Sequence, residues 1–167
     1  EMSFVEEDDV LNLIEELYTA VVESLFPNKW ILKPFPRLTY AEAMEVYGTD
    51  KPDLRFGLEM ADLSDIAAGT DFNVFRSARA EGGVVKGFRV PGAATYSRRQ
   101  VDELTALARD RGARGLVSMA FTGEQGPLGE LTHDRVRSSA ARFLTLDQIR
   151  AMGDRVEAEI GDLVLVV

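Results

Sequence analysis

Leu-Val-Leu-Val-Val, residues 163–167, is apolar at every position. In an extended strand successive side chains point to opposite sides, so this run is apolar on both faces. It suits a central strand with neighbours on either side, and the rest of the chain has to provide those neighbours. Two other short β-rich runs stand in the second half, VVKGFRV (84–90) and GLVSMAFT (115–122). FNVFRSAR (72–79) is a further aromatic run, and Glu81-Gly82-Gly83 separates it from VVKGFRV. That arrangement predicts a β-hairpin with a glycine turn.

Helix starts are marked by capping boxes, a Ser or Thr followed three residues on by Glu or Gln. Thr39 with Glu42 opens a short helix from about Tyr40 to Tyr47, stopped by Gly48. Ser97 with Gln100 opens RRQVDELTALARDRG, and Thr145 with Gln148 opens a helix with Ile149, Met152 and Val156 on one stripe. LSDIAAG predicts one more short helix, and SSAARFL another. Near the beginning, Val10, Leu13, Ile14, Leu17, Val21, Val22 and Leu25 recur at mostly helical spacing until Pro27. Residues 1–30 hold eight acids and one base, a solvated helix face with an acidic cap. The second half therefore predicts an α+β fold, a two-layer α/β sandwich with two helices on one side of the sheet. A boundary falls near 66–70, giving residues 1–68 and 69–167.

Composition narrows the chemistry. Of 167 residues none is Cys and one is His, which removes disulfides, a thiol nucleophile and a two-His metal site. His133, next to Asp134, has no Ser in a nucleophile-type setting. The net charge of -9 argues against a generic nucleic-acid coat. No apolar run approaches the ~20 residues of a membrane span, and no secretory leader pattern opens the chain. The expected location is the cytoplasm. Glu1 is not Met and the chain stops just after an apolar run, so both ends look cut.

Two features carry candidate chemistry, and a third does not. GTDKPDLRFG (48–57) places Asp50, Lys51, Asp53 and Arg55 within six residues around Pro52, a mixed-charge loop suited either to a polar ligand or to pairing with itself. Residues 76–114 hold nine bases and four acids, and Arg98 and Arg99 at a helix start are the candidates for RNA contact. The glycines of EGGVVKGFRVPG do not have phosphate-loop spacing. No catalytic residue and no metal ligand can be assigned.

Longer segments are more specific. EMSFVEEDDVL resembles the exit of motif 2 of a class II aminoacyl-tRNA synthetase of the bacterial aspartyl type, and PFPRLTYAEAMEVYGTDKPDLRFGLEM resembles the segment after it. FNVFRSARAEGGVVKGFRVPGAATYSRRQVDEL, through SSAARFL and GDLVLVV, is similar to the GAD insertion domain of that enzyme, shared with a subunit of the tRNA-dependent amidotransferase. PFPRLTYAEAM favours the synthetase, and Thr49 stands where Ser is common.

The resemblance implies a parent that activates aspartate with ATP and magnesium and passes it to the terminal adenosine of tRNA, acting as a homodimer. It implies that residues 1–68 belong to the catalytic scaffold and 69–167 to the GAD insertion. The motif 2 arginine would precede Glu1, which alone adjoins the adenylate site. The motif 3 arginine would follow Val167. The expectation is thus an inactive fragment needing no cofactor of its own, with the rest of the synthetase and tRNA as the parent's partners. The alternatives are a stand-alone RNA- or protein-binding module using 76–114, or an independent enzyme built on Asp50, Lys51, Asp53 and Arg55.

Overall fold

A computed structural model describes residues 2–167, so Glu1 lies outside the described residues. The chain divides into two compact units, Glu1–Thr39 and Tyr40–Val167.

The first unit is built on α1 (Glu7–Leu25), capped by a reciprocal pair between Glu6 and Asp9 and carrying Glu7, Asp8 and Asp9 in its first turn. Residues 33–37 run back beside it. The Phe35 N–H donates to Glu15 Oε1 at 2.9 Å, and Arg37 pairs with Asp8 at 2.8 Å. No residue of α1 is buried, and Leu13, Ile14, Leu17 and Val21 are all more than 40% exposed. The apolar stripe expected from the spacing is present and open.

The second unit contains α2 (Tyr40–Tyr47), β1 (Ala61–Asp62), α3 (Ser64–Ala68), α4 (Asn73–Ala80) and β2 (Lys86–Val90). It continues with α5 (Arg98–Asp110), β3 (Val117–Phe121), β4 (Val136–Arg137), α6 (Leu146–Arg155) and β5 (Leu163–Val166). The strands form one sheet in the order β1-β2-β5-β3-β4, antiparallel throughout. β5 is the middle strand and every residue of it is buried, as its composition requires. The fold is α+β, as expected.

Alternation along β5 separates two cores. Val164 and Val166 join Met119, Phe121, Phe75, Ile149 and Met152, so α4 and α6 cover that face. Leu163 and Leu165 join Ala93, Ala94 and Ala120, with Leu104 of α5 packed against them. The expectation of two helices on one side is corrected here, because α5 and α6 lie on opposite faces. The capping boxes Ser97–Gln100 and Thr145–Gln148 both form. Gly87 on β2 is a point of close approach. A Cβ there would lie 2.7 Å from Leu63 Cδ1 and 3.1 Å from the Leu165 carbonyl oxygen.

The expected hairpin across 72–90 is overturned. Residues 73–80 are the helix α4, not a strand. Phe72 and Phe75 are three apart, an odd interval that would put them on opposite faces of a strand but on one side of a helix. Their rings meet edge to face at 5.0 Å, with Phe75 buried. Gly82 is not a hairpin turn but a helix stop. Its φ of +77° is left-handed, and the Gly83 N–H closes back on the Ala78 carbonyl at 2.9 Å. SSAARFL is likewise shorter than expected, a single 3-10 turn at Ala141–Phe143.

Candidate functional site

Residues 48–57 form a turn segment between two left-handed glycines, Gly48 and Gly57. Its four charged residues pair with their near neighbours. Lys51 Nζ lies 2.7 Å from Asp50, and Arg55 Nε donates to Asp53 Oδ1 at 2.8 Å. The Arg55 backbone N–H donates to the same oxygen at 3.1 Å. These bonds, the side-chain one first, pull the Asp53 carboxyl down to about 2. The Arg55 and Lys51 side chains are more than 80% exposed, and each base is matched by its own acid. The geometry is that of a self-paired turn.

Arg98 and Arg99 project from the first turn of α5 and are almost fully exposed. Each faces an acid one turn on. Arg99 Nε donates to Glu103 at 2.9 Å, and Arg98 lies 4.0 Å from Asp102. Other bases of the 76–114 window are also engaged. Lys86 pairs with Glu45 at 2.9 Å, Arg89 approaches Asp162 at 3.5 Å, and Arg114 pairs with Glu81. His133 Nε2 lies 3.1 Å from the Ala141 carbonyl oxygen, joining two turns of the 130–144 segment. Among the described residues no three His, Cys, Asp or Glu side chains converge as a metal site.

A cavity in the second unit was not among the features expected from the sequence. It lies between α4 and the ends of β3 and β5, is open to solvent on one side, and has a volume of about 740 Å³. Phe75, Val84, Val85, Leu116, Val117 and Val166 supply its apolar wall. Arg109, Arg114 and Glu81 also line it. α4 forms one side, so reading 72–79 as a strand removed that wall. The one usable signal was the pair of bases, Arg109 and Arg114, flanking the glycine stop of α5.

The model of the GAD domain matches residues 75–167. The chain belongs to the GAD domain family. Similarity extends beyond the matched segment, over the entire sequence. The chain is 46% identical over 167 residues to an aspartate–tRNA(Asp/Asn) ligase of Dehalococcoides mccartyi, covering 100% of this chain and 28% of that protein. It is 47% identical over 167 residues to the ligase of the same name from Moorella thermoacetica, covering 100% of this chain and 26% of that protein. With the corresponding Rubrobacter xylanophilus ligase, identity is 45% over 162 residues, 97% of this chain and 25% of that protein. The chain thus spans about a quarter of the length of these relatives. The similarity includes residues 1–74, ahead of the GAD domain. Among the described residues no helix is long and apolar enough to cross a membrane.

Proposed function

We propose that this chain is the GAD insertion, with an adjoining piece of catalytic scaffold, of an aspartate–tRNA ligase that activates aspartate with ATP and transfers it to tRNA. The observation that carries this reading is 45–47% identity along essentially the whole chain to ligases about four times its length. Residues 1–68 belong to the scaffold and 69–167 to the insertion. The open stripe of α1 supports the first assignment, since an amphipathic helix exposing Leu13, Ile14 and Leu17 needs an apolar surface to cover it. The remainder of the synthetase supplies that surface. The parent acts as a cytoplasmic homodimer in this reading, and the relatives' names, ligases for tRNA(Asp/Asn), extend it to charging both the aspartate and the asparagine tRNA.

ATP and magnesium act in the parent. The residues present here do not fit them: among the described residues no acidic cluster could hold a metal ion, and Lys51 and Arg55 are tied to their own acids. No adenylation step is assigned to this chain, which is inactive alone. Arg98 and Arg99 are the candidates through which the insertion meets RNA.

The test is a chimera. The corresponding segment of the Dehalococcoides mccartyi ligase is replaced by this chain, and aspartylation is measured alongside aspartate-dependent ATP–pyrophosphate exchange. The chimera is expected to charge both tRNAs, while the isolated chain gives no exchange above buffer. A soluble chimera unable to activate aspartate, or exchange catalysed by the isolated chain, overturns the reading.

A further inference from the structure

We infer that the cavity between α4 and the ends of β3 and β5 is a binding site for a small amphipathic carboxylate, an aryl or branched-alkyl body carrying one acid group. Its volume of about 740 Å³ lies within the usual range for small-ligand pockets. The wall is apolar, and basic groups stand among its lining residues, so an apolar body enters and an anionic head stays at the arginines. Arg114 already holds a carboxylate, that of Glu81. Both partners of this pair are more than half exposed. An exposed pair contributes little net stability, so a ligand carboxylate can take the place of Glu81 at small cost. Arg109 has no ion-pair partner among the described residues and adds a second positive charge. The opposing acid among the lining residues is Glu81. Val84, more than half exposed at the cavity, is then part of the contact surface for the ligand body.

The experiment is an amide-resolved NMR titration of the whole chain with 4-phenylbutyrate and with its neutral analogue 4-phenylbutanol. A dissociation constant in the millimolar range is expected for about a dozen non-hydrogen atoms at ordinary ligand efficiency. Shifts should centre on the amides of Ser77, Val84, Val85 and Val117. The alcohol, and the acid on Arg114→Ala, should bind about tenfold more weakly, the loss of one charge-assisted contact. Glu81→Gln, which removes the competing acid, should bind the acid severalfold more tightly. Ser77 is an exposed helix residue on the lining, so Ser77→Phe fills the cavity without entering the core and should abolish the shifts. Equal affinity for acid and alcohol overturns the inference. So do shifts centred elsewhere, binding that survives Ser77→Phe, or adenosine monophosphate binding the same amides more tightly than the acid. None of these outcomes depends on whether the parent is a ligase.

Discussion

Removing the Asp162 carboxylate should cost the second unit a large share of its stability. Asp162 is buried just before the central strand β5. Its Oδ1 accepts the Gly92 N–H at 2.8 Å, and its Oδ2 accepts the Glu159 N–H at 3.0 Å. Arg89 Nη1 is the third donor, at a longer 3.5 Å. One side chain thus joins the end of β2, the turn before β5 and the start of β5. In Asp162→Ala both backbone N–H groups lose a charged acceptor. Hydrogen bonds to charged groups contribute about 1.5–3 kcal/mol each, and two that share one side chain are not fully additive. The expected loss is therefore roughly 3 kcal/mol, against a total of about 5–15 kcal/mol for a domain. In a thermal scan it corresponds to a fall of roughly 10 °C. Urea unfolding followed by far-UV circular dichroism measures it, with Glu124→Ala as an exposed acid control expected to change stability by less than about 0.5 kcal/mol. Asp162→Asn should also destabilise, because its amide NH₂ must face one of the two N–H donors. A loss below about 1 kcal/mol in Asp162→Ala, or one equal to that of the control, would refute the reasoning.

Other outcomes are as specific. Ser97→Ala and Thr145→Ala each remove half of an observed capping box and should cost about 1 kcal/mol in urea unfolding. Gly87→Ala should destabilise by about 1–3 kcal/mol through crowding against Leu63 and Leu165, which a thermal scan reads directly. Carboxyl NMR should show Asp53 titrating near 2, and Arg55→Ala should return it toward ordinary carboxylate values. Its sign follows from the lowered value: the stabilisation from this pair is present above the ordinary carboxylate range and is lost as pH falls through about 2. Hydrogen exchange should find the amides of α1, which has no buried residue, exchanging faster than those of β5; equal protection would contradict that. Any binding of tRNA to the isolated chain should weaken steeply with salt, and Arg98→Glu with Arg99→Glu should reduce it if the helix start is the contact.

The elements legible in the sequence were those in which local and tertiary preferences agree. Leu163 to Val166 announced a central strand because a run apolar on both faces is stable only when covered on both. α5 and α6 were legible from their capping boxes, since Ser97 and Thr145 accept the N–H groups of Gln100 and Gln148 within one turn of chain. α4 was not legible, because its aromatic and basic composition suits an exposed strand as well as a short helix. Only the packing of Phe75 and the left-handed Gly82 decide between them. Nor did the sequence say which face each helix covers. A capping box fixes where a helix starts but not the side from which it meets the sheet. The cavity followed that ambiguity, since its wall joins α4 to the ends of two strands that are remote in sequence.

Charge was the property most distorted by a linear reading. Counted along the chain, residues 76–114 carry nine bases against four acids. In the fold, acids from outside that window come to meet them, Glu45 to Lys86 and Asp162 to Arg89. Acids within it meet Arg99 and Arg114. The same opposition operates at shorter range in 48–57, where a mixed-charge run suited either to a polar ligand or to pairing with itself is matched base to acid within two residues. A cluster of charges in sequence therefore marks a site only to the extent that the fold leaves it unmatched. Arg98 and Arg99, each with an acid at i+4, have to exchange those partners for phosphate before they contribute to RNA binding. That exchange is inexpensive at so exposed a helix start, where an i,i+4 pair contributes only about 0.3–0.5 kcal/mol. The pairing therefore lowers the expected affinity of the helix start for RNA without excluding the contact. It also makes Asp102→Asn with Glu103→Gln the sharper test: freeing both arginines should strengthen tRNA binding if this helix start is the contact, and should leave it unchanged if it is not.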